Sequence, residues 1–265
     1  EYYQTHPSHY IYEHWTCLLA GGRVNIHPFY PKSDEPAEAG DFHILPILRG
    51  GADRIRSRTR LLNFIMEASL QCPVAVVFGH WGVMNWTCPQ YFDSLQAAIT
   101  LCNELSRRGY PADLIPSSEI HTVGVDGKKR WLLAEDGRLQ YGRQPYEWVL
   151  FYGVTESDRA DIDSLWGLGD KGETRRAILP PAMDQSAWAQ RVTEDLQRRG
   201  IQPQTVWVES DNRWKGSMYR PPMSGLARFT DGTLLWASGS QEEPRGKTIR
   251  LDKASVLSND GRQTF

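Results

Sequence analysis

The hydrophobic pattern between residues 72 and 209 changes repeatedly from short continuous apolar runs to longer segments with helical spacing. The apolar runs predict five β-strands, at 73–78, 112–116, 147–153, 176–181 and 205–209. The helically spaced segments predict helices between them, at 91–108, from Thr155 onward and at 186–199. Continuous apolar strands that alternate with helices are typical of a parallel sheet buried on both faces. We therefore predict an α/β fold class with a flavodoxin-like, doubly wound parallel sheet.

The chain ahead of this region has a different pattern. Residues 1–71 predict a helix-strand-helix block, with a helix at 8–22, a strand at 23–31 and an amphipathic helix at 54–71. This block is separated from the central region by a change from arginine-rich helix to buried strand. We therefore predict a first domain at 1–71 and a second, doubly wound domain at 72–209.

The end of the chain predicts β structure instead of alternating strands and helices. Residues 210–265 contain a hairpin pattern at 225–239 and a further strand at 247–252, which together predict a small β region as a third domain. A similar hairpin at 130–142 interrupts the central domain. Both hairpins are predicted to turn at an Asp-Gly pair, which is a strong short-range hairpin signal.

The composition and net charge of the chain argue against nucleic acid and anionic membranes as partners. The chain has 265 residues and a formal net charge of −2, so it lacks the basic excess typical of proteins that bind nucleic acid or anionic membranes. It contains neither a signal segment nor an apolar run of the roughly 20 residues that span a membrane, which leaves the compartment open with the cytoplasm slightly favoured. The ten tryptophans and eleven tyrosines fit either stacking against sugar rings or the filling of a core.

The loop after the first predicted strand, "GHWGVMNWTCPQ" at 79–90, is the candidate ligand edge. Open α/β sheets bind ligands at the carboxyl ends of their strands, where this loop is expected to lie. It lacks the G-x-G-x-x-G spacing of dinucleotide sites and the Gly-Lys-Ser/Thr of phosphate loops, so no cofactor is predicted. Aromatic residues and Met are enriched at subunit contacts. We therefore interpret it as an interface or ligand-edge loop, with the candidate residues His80, Trp81, Met84 and Trp86.

The central domain offers no catalytic or metal-binding motif. A cysteine nucleophile would need a strained turn flanked by small residues, whereas Cys102 falls within a predicted helix and Cys88 precedes a proline. The histidines crowd near the start of the chain without the spacing that would bring them together on a metal, so no metal site is predicted. Glu119 is a candidate carboxylate, but glycoside hydrolysis needs a second such group nearby, and the sequence indicates none.

Several segments together resemble a known family. These are "HYIYEHWTCLLAGGRVNIHPFYP" (9–31), "CPVAVVFGH" (72–80), "YFDSLQAAITLCNELSRRGYPADLIPSSEI" (91–120) and "DGRLQYGRQPYEWVLFY" (136–152). In order and character they resemble the carboxyl half of β-galactosidase-type glycoside hydrolases of family 42 and its relatives. The resemblance implies the end of a (β/α)8 barrel at 1–71, an amidotransferase-like trimerisation domain at 72–209 and a small β domain at 210–265.

The resemblance also implies where the chemistry of such an enzyme would lie. The family's two catalytic glutamates would precede Glu1, so no residue of this chain is assigned a catalytic role. Barrel enzymes bind substrate at the carboxyl ends of their strands, which makes Asn25, His27, Phe29 and Tyr30 the substrate-lining candidates. The expected function is that of a non-catalytic carboxyl-terminal portion of a glycoside hydrolase, which forms a homo-oligomer, with a trimer favoured, and shapes the active site.

Three alternatives stay open. The chain could be an active glycosidase that hydrolyses β-galactoside-like substrates, with its carboxylates drawn from Glu13, Glu119 or Glu156. It could be a carbohydrate- or partner-binding module without catalysis. It could also be a glutaminase-type amidotransferase, which would be inhibited by thiol alkylation.

Overall fold

The computed structural model describes residues 68–80, 89–170, 172–208, 224–237, 248–250 and 256–258. The chain divides into two compact units, of which one is Gln71–Thr205 and the other joins Glu1–Leu70 with Val206–Phe265. The helices and strand predicted within residues 1–67 lie outside the described residues. The predicted elements of the central domain can be compared directly with the structure.

The described residues form a regular succession of strands and helices. In chain order these are β1 (Val74–Phe78), α1 (Pro89–Arg107), β2 (Ala112–Pro116), β3 (Trp131–Leu133), β4 (Leu139–Tyr141), β5 (Gln144–Pro145), β6 (Trp148–Tyr152), α2 (Arg159–Gly169), β7 (Arg175–Ile178), α3 (Gln185–Arg198), β8 (Thr205–Val208), β9 (Ser224–Arg228), β10 (Leu234–Ala237), β11 (Thr248–Arg250) and β12 (Val256–Ser258). Short 3-10 turns follow β2 at Ser117–His121 and precede α2 at Glu156–Asp158.

The centre of the Gln71–Thr205 unit is a four-stranded parallel sheet in the order β2-β1-β6-β7. Strand β1 pairs in parallel with β2 on one side and β6 on the other, and β6 pairs in parallel with β7. The predicted α/β class with a parallel sheet is therefore confirmed, and the strand order is compatible with a flavodoxin-like fold. Strand β1 is a continuous apolar run because both of its faces are covered.

Helices cover the two faces of this sheet. On one face, α1 and α3 lie side by side over a core that includes Val76, Leu101, Leu150, Val192 and Leu196, all completely buried. On the opposite face, the ring of Phe151 in β6 contacts that of Trp166 in α2, with ring centroids 5.8 Å apart. The helices thus form the outer layers of a three-layer arrangement, in which the sheet is the middle layer.

The chain turns back after β7, and this corrects one prediction. Helix α3 lies on the same face as α1, and the backbone N–H groups of Gln204 and Thr205 both donate to the carbonyl of Gly109, just ahead of β2. In a right-handed crossover, a helix on the α1 face carries the chain across the sheet in the direction from β1 to β2. Because α3 lies on that face, it carries the chain from β7 back towards β2. The predicted strand at 205–209 forms as β8, but it belongs to a three-stranded sheet with β9 and β10 instead of the parallel sheet.

Both predicted hairpins are confirmed. Strands β3 and β4 pair antiparallel around Gly137, whose φ of 81° requires glycine, and β5 adds a third strand. Strands β9 and β10 pair antiparallel around Gly232, which has a φ of 86°. The strand predicted at 247–252 forms as β11 and pairs with β12. None of the helices in the described residues is long and apolar enough to cross a membrane.

Candidate functional site

The carboxyl edge of the parallel sheet is where ligands bind in open α/β folds, and here the described residues that follow β1 and β2 take part in a buried hydrogen-bond network. The hydroxyl of Ser117, directly after β2, donates to Oδ1 of Asp158 over 2.5 Å. The same hydroxyl accepts from the backbone N–H of His80, directly beyond β1, over 2.8 Å. Neither Ser117 nor Asp158 has any solvent-exposed surface. The network therefore joins the ends of two strands to the start of α2 without facing solvent.

The second oxygen of Asp158 is also occupied. Oδ2 accepts from the backbone N–H of Thr155 over 2.9 Å and from the Thr155 hydroxyl over 2.6 Å. These contacts form a capping box at the 3-10 turn that leads into α2. Three of the hydrogen bonds that the carboxylate oxygens accept come from Ser117 and Thr155 of the same unit. An acid that is buried and hydrogen-bonded in this way stabilises the edge, and its side chain does not face solvent.

Two glycines at this edge, Gly79 and Gly153, allow the backbones that follow β1 and β6 to approach each other closely. The N–H of Gly79 donates to the carbonyl of Tyr152 over 3.0 Å, and a methyl group on Gly79 would collide with the carbonyl oxygen of Gly153. Gly153 itself has a φ of 64°, which favours glycine. The glycine that ends β1 is therefore explained by the approach of β6, so the glycine signal in the sequence has a structural cause.

Two further polar pairs lie near this edge, on the residues that follow β2. The hydroxyl of Tyr141 in the hairpin donates to Oε2 of Glu119 over 2.7 Å, and burial raises the pKa of Tyr141 to about 12. His121 contacts Asp161 of α2 with 3.0 Å between Nε2 and Oδ1, and its side chain is 56% exposed. The partner that Glu119 meets here is a phenol, whereas a glycosidase would pair it with a second carboxylate.

The cysteines of the described residues lie away from this edge. Cys72 and Cys102 are free thiols; Cys72 precedes β1, at the amino end of the sheet, and Cys102 lies within α1. Burial raises the pKa of Cys72 well above its usual value, with the nearby Asp113 adding to the effect, and burial raises the pKa of Cys102 to about 12. A thiol nucleophile needs a lowered pKa, so neither cysteine is activated. Cys17 and Cys88 lie outside the described residues.

The amino edge carries buried charges arranged in pairs. Oε1 of Glu147, a buried residue, lies 2.5 Å from Nη1 of Arg138, and Oε2 of the same carboxylate is paired with Arg199. Asp195 of α3, which is also buried, lies 2.7 Å from Arg175 and accepts a 2.9 Å hydrogen bond from the indole N–H of Trp148. Each acid is matched by basic groups from other elements, which ties hairpin, sheet and α3 together.

The predicted site residues are only partly covered by the structure. His80 is half-buried, and its backbone N–H takes part in the Ser117 network. The other predicted loop residues (Trp81, Met84, Trp86), the substrate-lining candidates (Asn25, His27, Phe29, Tyr30) and Glu13 lie outside the described residues. Glu156 is exposed at the first position of its 3-10 turn. Within the described parts of the chain, no group of three or more His, Cys, Asp and Glu residues could hold a metal ion.

Sequence reasoning missed Ser117 and Asp158. The spacing Thr155-x-x-Asp158 is a variant of the capping-box pattern and could have marked the start of α2. Nothing in the sequence relates Ser117 to Asp158, which are 41 residues apart. The parallel alignment of β2, β1 and β6 brings them to the same edge.

Comparisons of the chain with protein-family models, with curated proteins and with solved structures found no match. The functional assignment therefore depends on the residues and contacts of this chain. The contacts that bear on it most directly are those of Ser117 and Asp158 at the carboxyl edge.

Proposed function

We propose that this chain is the non-catalytic carboxyl-terminal portion of a glycoside hydrolase related to the family 42 β-galactosidases. In this proposal its parallel-sheet unit is an amidotransferase-like domain that holds subunits together and shapes a neighbouring active site. The four sequence segments quoted above support the relationship. The single observation that supports a non-catalytic role is the buried network of Ser117 and Asp158 at the carboxyl edge.

A catalytic acid, base or nucleophile has to reach the substrate to exchange a proton or form a bond. Ser117 and Asp158 occupy the position where such groups lie in α/β enzymes, yet both are fully buried and are hydrogen-bonded to each other and to Thr155. The two described thiols have raised pKa values and lie at other places in the unit. This edge therefore favours a domain that contributes shape and contacts.

The finer parts of the proposal follow from the resemblance. The parallel order β2-β1-β6-β7 is compatible with a class I glutamine amidotransferase-like domain. Under this proposal the assembly is a homotrimer, and the loop with His80, Trp81, Met84 and Trp86 contributes to contacts between subunits. Asn25, His27, Phe29 and Tyr30 line the substrate site of the whole enzyme.

Two measurements on the 265-residue chain test the proposal. We expect no turnover on a panel of nitrophenyl glycosides, and a mass of three chains in light scattering that is stable on dilution. Turnover that is lost in Glu119→Gln would overturn the proposal in favour of an active glycosidase. A monomer that binds oligosaccharides in titration calorimetry would favour a binding module, and a glutaminase activity abolished by thiol alkylation would favour an amidotransferase.

A further inference from the structure

Strand β7 is the edge strand of the parallel sheet beyond β6. The backbone N–H and C=O groups of its successive residues point alternately towards β6 and away from it. The N–H of Arg175 donates to the carbonyl of Glu147 over 2.9 Å, and that of Leu179 donates to the carbonyl of Phe151 over 2.8 Å. In a parallel ladder the residues that bond to one neighbour alternate with those that point away from it. Arg176 and Ile178 therefore direct their N–H and C=O groups away from β6.

In the part of the chain that the structure describes, no strand pairs with this outer edge. The chain leaves β7 through α3 on the α1 face and reaches Gly109 beside β2, so the described segment 179–205 does not supply a fifth strand next to β7. Ile178 remains 49% exposed, which is unusual for a large apolar residue in a strand. An open edge with free backbone groups and an exposed apolar side chain is a template for pairing with another strand.

We propose that β7 pairs antiparallel with β7 of a second copy of this chain, about a two-fold axis at Ala177. In this register Arg176 of each copy lies opposite Ile178 of the other. Both residues direct their backbone groups outward, so the two pairs exchange four hydrogen bonds across the axis. The spacing of the outward groups, two residues apart around a central alanine, makes the edge self-complementary.

Charge and side-chain placement agree with this register. Arg175 and Arg176 point to opposite faces of the sheet, where Arg175 pairs with Asp195 and Arg176 with Asp170. The register places no arginine directly opposite another, which would be destabilising, and it places the exposed Ile178 against the aliphatic part of Arg176 from the second copy. Pro180, the next outward position, has no N–H to donate and ends the ladder.

This contact goes beyond the proposed function and does not depend on it. A two-fold contact differs from the three-fold contact of a trimer, and both together would give a hexamer. A ladder of four residues is short compared with the area of a stable interface. We therefore expect the two-fold association to depend on protein concentration, whereas the trimer of the proposed function should persist on dilution.

Amide hydrogen exchange of the full 265-residue chain tests the backbone part of the proposal. We expect the amides of Arg176 and Ile178 to exchange fast in dilute protein and to become protected as its concentration rises. The amides of Ala177 and Leu179 face β6 and should be protected at every concentration. If Arg176 and Ile178 exchange at rates that do not change with concentration, whether fast or slow, the proposal is wrong.

Sedimentation equilibrium tests the side-chain part with a matched pair of variants. Ile178→Lys places a charge at the contact and should weaken the two-fold association by about tenfold or more. Val125→Lys makes the same change at a fully exposed residue of the loop before β3, which lies outside the contact, and should leave the association unchanged. Equal effects of the two variants, or no concentration-dependent association of the unchanged chain, would overturn the proposal.

Discussion

At the carboxyl edge of the parallel sheet the buried Asp158 is held by hydroxyl and backbone donors, whereas at the amino edge the buried Glu147 and Asp195 are held mainly by arginines. The carboxyl-edge network joins strand ends to one short turn. The amino-edge network reaches across the hairpin, β6, β7 and α3. Both edges bury carboxylates, but they compensate the buried charge with different chemistry.

The difference shows which edge depends more on charge. A carboxylate that accepts hydrogen bonds from neutral donors loses part of its stabilisation when one donor is removed. Removing a carboxylate that lies between two arginines takes one anion from both cations at once, although Arg138 keeps Asp136 at 2.6 Å and Arg199 lies 4.0 Å from Asp195. Among the described contacts, the buried carboxylates of the amino edge are therefore the ones paired with cations, and substitutions there should have the larger effects.

The largest expected effect is that of Glu147→Gln. The amide keeps the shape of the side chain but removes the anion between Arg138 and Arg199. Both arginines are about one-quarter exposed and each keeps another carboxylate nearby, Asp136 for Arg138 and Asp195 for Arg199. From the loss of two charge-assisted hydrogen bonds we expect a decrease of about 3 kcal/mol in the free energy of unfolding. Urea unfolding followed by circular dichroism measures it. Glu135→Gln, at an exposed position of the same hairpin, should change stability by less than about 0.5 kcal/mol; similar values for the two variants would contradict the paired role of Glu147.

A smaller loss is expected for Asp158→Asn at the opposite edge. The new amide nitrogen faces donors, so at least one hydrogen bond from Ser117 or Thr155 is lost. We expect a loss of about 2 kcal/mol in the free energy of unfolding. The exposed Asp163 of α2 provides the matched control, because Asp163→Asn removes the same charge at a solvated site. A loss at Asp158 equal to that at Glu147 would show that the two edges do not differ as described.

Most of the central fold could be predicted from the sequence because burial on both sides requires continuous apolar strands. The run Ala112–Pro116 was predicted with the bounds that β2 has, and both Asp-Gly hairpins formed where the turn chemistry placed them. The partner of β8 was predicted wrongly. A strand's own residues show that it is buried, whereas its neighbour is decided by the face on which the preceding helix lies, and no pattern within 186–199 specified that face.

The sequence predicted the location of the candidate site, at the carboxyl edge of the sheet, but not the residues that interact there. Gly79 correctly marked the end of β1, but its cause is the close approach of Gly153, which is 74 residues later in the chain. Ser117 and Asp158 carried no signal as a pair, because ordinary strand-end and turn residues become a network only when the sheet aligns them. The amino-edge partners of Glu147 are likewise distant in sequence, which is why charge counts gave no indication of a buried network.

Asp113 adds a pH dependence to the amino edge. Burial raises the pKa of Asp113, although hydrogen bonds from Tyr146 and Cys72 act in the opposite direction. The folded state therefore holds the proton more tightly than the unfolded state, and stability falls as pH rises from the unfolded value of about 4 through the folded pKa. Asp113→Asn removes this titration, so its stability relative to the unchanged chain should be greater at pH 8 than at pH 4. Unfolding curves at both values measure the difference.

Tyr146→Phe sharpens the same test. It removes a hydrogen bond that lowers the pKa of Asp113, so the pH-dependent loss of stability should extend to higher pH than in the unchanged chain. A phenylalanine at this position keeps the ring contact with Trp131, whose centroid lies 5.8 Å from that of Tyr146. If the pH dependence of stability is the same in the unchanged chain and in both variants, the titration of Asp113 does not contribute to stability at the amino edge.

The smallest expected effect is at the pair of His121 and Asp161, which lies beside the carboxyl edge and is exposed to solvent. Solvent screens the pair and the side chains lose conformational freedom when they meet, so His121→Asn should change the free energy of unfolding by less than about 0.5 kcal/mol at pH 6. Asp161→Asn should give a similarly small change, and raising the salt concentration should not alter the difference measurably. A loss above about 1 kcal/mol for His121→Asn would be more than an exposed pair contributes. It would mean that charge contributes more at the carboxyl edge than the neutral donors around Asp158 indicate.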